Sequence, residues 1–153
     1  MDDTEPKGRV LIIAGSDSGG GAGIQADIKA VTAMGGYAAT AITAITVQNT
    51  LGVSAIHPVP LDIIKGQIEA VLSDIGADVI KTGMLGTSEI VALVADCLEA
   101  CDPPMPLVLD PVMVATSGDM LVDDGAQAAI RDRLLPLATL ITPNIPEAEK
   151  LTG

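Results

Sequence analysis

Val10-Leu11-Ile12-Ile13-Ala14-Gly15-Ser16-Asp17-Ser18-Gly19-Gly20-Gly21-Ala22-Gly23-Ile24 joins an apolar run to a helical pattern through a glycine-rich turn. Val10–Ala14 reads as a buried strand. Five of the nine residues from Gly15 to Gly23 are glycine. Beyond them, Ile24, Ile28 and Val31 fall on one face of a helix expected over Ile24–Met34. A strand that turns through glycines into a helix N-terminus presents bare backbone N–H groups to a ligand. A binding function is therefore expected to begin in this loop.

Two familiar phosphate loops do not fit it. A P-loop needs Lys followed by Ser or Thr after its last glycine, and Gly23 is followed by Ile24-Gln25. The dinucleotide fingerprint G-x-G-x-x-G fails from Gly15, Gly19 or Gly21. Asp17 would also repel a triphosphate held in the loop. The loop is expected to face an uncharged or hydroxyl-bearing part of a substrate. The competing account is a tight turn that lets a helix pack closely on a strand, a role glycine serves well.

Working outward, strand and helix patterns alternate. Strands are expected at Ala41–Val47, Val79–Lys81, Pro106–Leu109 and Leu140–Thr142. Helices are expected at Leu61–Ser73, from a Thr87-Ser88-Glu89 cap to about Ala100, at Asp124–Leu135 and at Pro146–Leu151. The alternation predicts an α/β fold with a parallel sheet. Met113–Asp124, with Ser117-Gly118-Asp119, reads as a loop near a site. His57, the only histidine, precedes Pro58 in an expected loop and is not assigned to catalysis.

The 153 residues suit one domain with a real core. With one Tyr and no Phe or Trp, that core must come from Ala, Val, Ile, Leu and Met. The net charge of -12 argues against nucleic acid and anionic membrane as partners. Met1–Gly8 is polar and acidic, unlike a secretory signal, and no apolar run approaches the roughly 20 residues of a membrane span. Cys97 and Cys101 share a helix face without metal-ligand partners and are expected to be ordinary reduced thiols. The expected compartment is the cytoplasm.

Ligands of open α/β sheets bind beyond the carboxyl ends of the strands. Those ends carry Gly15–Gly23, Gln48-Asn49-Thr50, Thr82-Gly83-Met84, Asp110-Pro111-Val112-Met113, and Pro143-Asn144 with Glu147. The amide of Gln48 can both donate to and accept from the edge of a heterocycle. Met84 and Val112 offer soft apolar surface to a flat ring. Asp110, Asn144 and Glu147 form an oxygen-rich half suited to magnesium and phosphate. Asp110 equally suits a turn before Pro111, and Glu147 a helix-dipole partner in a first turn. Lys81 sits at a strand end, where it can meet a phosphate or pair with a carboxylate.

Ala14-Gly15-Ser16-Asp17-Ser18-Gly19-Gly20-Gly21-Ala22-Gly23-Ile24-Gln25-Ala26-Asp27 resembles the opening motif of the hydroxymethylpyrimidine/phosphomethylpyrimidine kinases of thiamin biosynthesis, in the ribokinase-like superfamily. Thr46-Val47-Gln48-Asn49-Thr50, Lys81-Thr82-Gly83-Met84-Leu85, Asp110-Pro111-Val112-Met113 and Thr142-Pro143-Asn144-Ile145-Pro146-Glu147-Ala148 continue the likeness in order. The resemblance implies a mostly parallel sheet flanked by helices in three αβα layers. It implies ATP-dependent phosphorylation of the hydroxymethyl group of the aminopyrimidine, and then of the resulting monophosphate. By the same resemblance, Gly15, Ala22, Asp27, Gln48, Met84 and Val112 bind the pyrimidine. Asp110 and Glu147 belong to the Mg2+ site, and Asn144 to the phosphate and nucleotide region. The full-length form is expected to be a homodimer.

The resemblance also places a Gly-Thr-Gly-Cys stretch, with the anion hole and the residue at the reacting hydroxyl, beyond Gly153. Residues 10–153 are accordingly expected to be the N-terminal portion of one kinase domain, after a tail over residues 1–9. The C-terminal part is expected to be missing, no catalytic residue is expected in this chain, and little activity is expected from it alone. Two alternatives stand beside this reading. One is a pyridoxal kinase of the same superfamily. The other is a non-catalytic pyrimidine-binding domain.

Overall fold

The computed structural model describes residues 5–113 and 121–152. Most of the loop expected between Met113 and Asp124, including Ser117-Gly118-Asp119, lies outside the described residues. Six strands form one sheet: β1 (Arg9–Asp17), β2 (Tyr37–Asn49), β3 (Gly52–Pro58), β4 (Val79–Thr82), β5 (Leu107–Leu109) and β6 (Leu140–Ile141). Their order is β3-β2-β1-β4-β5-β6. Every neighbouring pair is parallel except β2 and β3. The helices are α1 (Gly23–Ala33), α2 (Leu61–Asp74), α3 (Ser88–Glu99), α4 (Asp124–Ala129) and α5 (Ile145–Thr152).

β1 is apolar without interruption from Val10 to Ala14 because both of its faces are covered there. Val10, Ile12 and Ala14 pack with Ile24, Ile28 and Val31 of α1 on one side. Leu11 and Ile13 pack on the other side with Ile64 and Ile68 of α2, Val91 and Val94 of α3, and Ile130 and Leu134. Helices therefore cover both faces of the sheet in three layers. The chain runs from β1 to β2 on one side and later places β4 on the other. The sheet order reverses at β1, which is where α/β sheets open a crevice for a ligand.

The sheet is mostly parallel, as the resemblance implied, while local details differ from expectation. Residues 52–58 form an unforeseen strand, β3, antiparallel to β2. His57 belongs to this strand, opposite Ile45, and not to a loop. Pairing with β2 makes the segment a strand although Gly52, Ser54 and Pro58 weaken its own pattern. The helix expected over Asp124–Leu135 is α-helical only to Ala129, then widens to a π-helical turn over Ile130–Leu134 and tightens to a 3-10 turn over Leu135–Leu137. Pro136 has no N–H to continue the ladder, and its ring would crowd the carbonyl four residues back. β2 begins at Tyr37, earlier than expected, because Tyr37-Ala38-Ala39-Thr40 pairs with Arg9–Ile12 of β1. The Thr87 cap occurs as expected, its hydroxyl accepting the Ile90 N–H at 3.4 Å.

Candidate functional site

A cavity of about 600 Å³ opens at the carboxyl ends of β1, β2, β4 and β5. Its lining includes Gly15, Ala22, Asp27, Gln48, Met84, Asp110 and Val112, seven of the nine residues singled out in the sequence. Asn144 and Glu147 do not line it. Gly15 sits at a register shift between Ala14 and Ser16 in β1. A Cβ at position 15 would lie 2.6 Å from Met84 Cε. The glycine thus makes room for the Met84 side chain beneath the pocket. The Thr43 hydroxyl fixes the turn at Met84 by donating to its carbonyl at 2.7 Å.

Four N–H groups of the glycine loop, those of Gly19, Gly20, Gly21 and Ala22, are not bare as its sequence had suggested. Asp17 is buried, and its carboxylate turns inward. Oδ1 accepts the Gly19 N–H at 2.7 Å, and Oδ2 accepts those of Gly21 at 2.9 Å and Ala22 at 2.8 Å. The Asp17 carbonyl accepts the Gly20 N–H at 3.0 Å. A buried carboxylate must be compensated by donors, and this loop supplies them locally. Gln25 locks the same turn: its Oε1 accepts the Asp17 N–H at 2.8 Å, and its Nε2 donates to Ser16 Oγ at 2.7 Å.

Gln48 is tied to the loop through its backbone. Its N–H donates to Ser18 Oγ at 2.8 Å, and the same hydroxyl donates to the Gln48 carbonyl at 2.7 Å. Thr46 Oγ1 donates to the Ser16 carbonyl at 2.9 Å and lies 3.2 Å from Gln48 Oε1. The half-buried side-chain amide of Gln48 is thereby fixed at the pocket wall, and its nitrogen makes no hydrogen bond among the described residues.

The polar side of the pocket is a charged triad. Lys81 Nζ lies 2.8 Å from Asp27 Oδ2 and 3.4 Å from Asp110 Oδ2. The three side chains are only 21%, 22% and 30% exposed. Burial pushes the Asp110 carboxyl above its ordinary range, and the Lys81 ammonium opposes that shift. Lys81 is the pocket residue whose role the sequence left open. Its partners lie on α1 and after β5, far along the chain, and no local pattern joins them.

Asn144 and Glu147 form a reciprocal cap at the start of α5. Asn144 Oδ1 accepts the Glu147 N–H at 2.9 Å, and Glu147 Oε2 accepts the Asn144 N–H at 3.0 Å. Glu147 is buried, and its Oε1 accepts the Met113 N–H at 3.3 Å. This is a capping box, N-x-x-E in the sequence, and it anchors the end of the segment after β5. The Glu147 charge still acts on Asp110. No cluster of three His, Cys, Asp or Glu side chains suited to a metal occurs among the described residues. Magnesium commonly takes one or two carboxylates and completes its shell with water and phosphate. Asp110 lines the pocket and is a carboxylate of that kind, whereas Glu147 does not line it and both of its oxygens accept backbone N–H groups.

The sequence profile of the phosphomethylpyrimidine kinase family matches residues 17–153. A hydroxymethylpyrimidine/phosphomethylpyrimidine kinase from Mycobacterium leprae is 52% identical over 145 residues, covering 95% of this chain and 52% of that protein. The crystal structure of phosphomethylpyrimidine kinase from Clostridium difficile superposes with a TM-score of 0.88 at 50% identity, covering 95% of this chain and 62% of that one. A pyridoxal kinase from Staphylococcus aureus, in complex with pyridoxal, superposes with a TM-score of 0.84 at 42% identity, covering 95% of this chain and 52% of that one. The chain thus spans about half the length of the curated kinase from M. leprae. The three-layer arrangement is the ribokinase-like fold expected from the motifs.

Proposed function

The chain belongs to the phosphomethylpyrimidine kinase family, and on that premise we propose that its pocket is the acceptor side of an ATP-dependent pyrimidine kinase. The substrate is 4-amino-5-hydroxymethyl-2-methylpyrimidine and then its monophosphate, on the route to thiamin. The observation that carries this reading is the gathering of Gly15, Ala22, Gln48, Met84 and Val112 around one cavity at the sheet's switch point.

In this reading the Gln48 amide hydrogen-bonds the edge of the aminopyrimidine. Met84 and Val112 pack on the ring, Gly15 leaves room for the Met84 side chain, and Ala22 closes the wall. Asp27 faces the polar groups of the substrate while holding Lys81. Asp110 would hold Mg2+, with the Glu147 charge acting on it, and Asn144 is assigned to the phosphate side. When bound, magnesium neutralises charge on the phosphates of ATP. In the first step the transferred phosphoryl group would form a bond to the substrate hydroxyl oxygen as its bond to ADP breaks and the hydroxyl proton is lost to solvent; in the second the acceptor would be an oxygen of the monophosphate. Most of the catalytic benefit comes from positioning and charge neutralisation. The acceptor-side residues supply the positioning.

Residues 10–153 form, in this account, the N-terminal portion of one kinase domain. Support comes from the shares of the M. leprae and C. difficile proteins that the chain covers, 52% and 62%. A cytoplasmic homodimer is the proposed setting of the full-length form. No helix among the described residues is long and apolar enough to cross a membrane, and the net charge of -12 disfavours nucleic acid and anionic lipid.

A second reading, a pyridoxal kinase, is favoured by the superposition on the S. aureus enzyme. Calorimetric titration of the chain with the pyrimidine alcohol and with pyridoxal separates the two. Tighter binding of the pyrimidine supports the first reading. Tighter binding of pyridoxal overturns it in favour of the second.

A further inference from the structure

We propose that Asp17 is a positioning residue that gives the acceptor loop its own anion: its carboxylate fills the ring of backbone N–H groups at the start of α1, sets the pocket wall at Ala22, and bars phosphate from that place. The inference rests on the reading of this pocket as the acceptor side.

A turn in which successive N–H groups converge at a helix N-terminus is a general anion cradle. Here the N–H groups of Gly19, Gly21 and Ala22 converge on the two oxygens of one buried carboxylate, at 2.7, 2.9 and 2.8 Å. No Lys or Arg among the described residues pairs with Asp17: Lys29 reaches the Gly20 carbonyl, and Lys81 is held by Asp27 and Asp110. The backbone donors alone answer the carboxylate. Gly20, at φ +75, provides the left-handed bend within the turn.

Two consequences follow for substrate choice. The three N–H groups are consumed, and a negative charge stands where an incoming phosphate would need them. A neutral ring edge is the better guest for this wall of the cavity, which Asp17 itself helps to line. Ala22 is also held from within, since its N–H is one of the three donors. The wall against the substrate is set before any ligand arrives, and such preorganisation lowers the cost of binding.

The test compares the wild-type chain with Asp17→Gly and Asp17→Asn, using inorganic phosphate, formate and the pyrimidine alcohol as probes. In wild type, the amide NMR signals of Gly19, Gly21 and Ala22 are expected not to shift with phosphate or formate. In Asp17→Gly the same amides are expected to show saturable shifts with formate or phosphate. Affinity for the pyrimidine alcohol is expected to fall at least tenfold and to recover with formate. Asp17→Asn fills the space without the charge, so its affinity falls and formate does not restore it. Should Asp17→Gly need an anion to fold, formate is expected to raise its folded fraction in a dose-dependent way.

Phosphate shifting these amides in the wild type overturns the proposal. So does an Asp17→Gly chain that neither binds formate nor responds to it in folding, or an Asp17→Asn chain with wild-type affinity. If the wild type binds no pyrimidine at all, the acceptor reading fails. The loop-amide readout still decides whether Asp17 is an internal anion.

Discussion

Gly23→Ala puts the junction between the acceptor loop and α1 under the sharpest test. Gly23 has φ +56, a left-handed conformation that side chains disfavour. A Cβ there would overlap the carbonyl oxygen of Gly15, and would stand 3.3 Å from the Asp17 nitrogen. Both neighbours are backbone, in a stretch bridged to Gly23 through Ser16, so neither can swing aside as a side chain would. The left-handed conformation costs an alanine about 1–2 kcal/mol. Forcing extra volume into a packed site costs about 1–3 kcal/mol more. The sum is about 2–5 kcal/mol, a large share of the roughly 5–15 kcal/mol that holds a typical domain. At about 2–4 °C per kcal/mol for a chain of this size, a mid-range loss lowers Tm by roughly 7–14 °C.

Gly66→Ala is the matched control. Gly66 lies in α2 with no atom within 4 Å of a built Cβ and no positive φ. Alanine there is expected to stabilise by about 0.4–1 kcal/mol. Urea denaturation of both variants, with unchanged slopes, reads the difference. A Gly23→Ala chain within about 0.5 kcal/mol of wild type, the scatter of ordinary surface changes, would refute the close approach on which the loop geometry rests.

Other consequences are measurable in the same chain. Lys81→Met leaves Asp27 and Asp110 facing each other without their cation. Breaking a fully buried pair costs about 3–5 kcal/mol, and solvent access to these side chains reduces that to about 2 kcal/mol. Adding Asp110→Asn should recover part of the loss in urea denaturation, and simple additivity of the two changes would contradict the coupling. Two carboxylates should give opposite pH slopes. Hydrogen bonds from the Arg9 side chain and N–H hold Asp78 at about 2, below its ordinary 3.8, so its support is present above 3.8 and is lost as pH falls toward 2. Arg9→Ala should flatten that acid loss in a pH series of denaturation curves. Burial raises Asp110 above 3.8, so its ionisation costs stability as pH rises from 3.8 through the folded value. Asp110→Asn should remove that downward slope, and an unchanged slope would count against the assignment.

Much of the sheet is visible in the sequence because β1 is apolar on both faces and the helices keep their own period. β3 is not, since its strand character comes from pairing with β2 and its residues alternate weakly. The site divides in the same way. Residues at or just beyond the carboxyl ends of strands, such as Gln48, Met84 and Val112, can be placed from order alone. Direction cannot: Asp17 is legible as a carboxylate in a glycine loop, but its inward turn onto three N–H groups is set by the folded loop. Asn144 and Glu147 carry a capping-box spacing that is local and readable, yet their oxygen atoms equally suit a metal. The Lys81 triad joins residues 54 positions apart through Asp27, a separation at which local patterns carry no signal.

The central claim is that the amide of Gln48 recognises a pyrimidine in this pocket, and calorimetric titration of wild type and Gln48→Leu with 4-amino-5-hydroxymethyl-2-methylpyrimidine tests it most directly. Leucine keeps the bulk and removes the hydrogen bonds, whose loss is worth about 1–3 kcal/mol when a buried partner is left unpaired. Wild type is expected to bind one-to-one, and the variant to bind more weakly by about tenfold or more. Absence of binding by wild type, or equal affinity in the two chains, would contradict it.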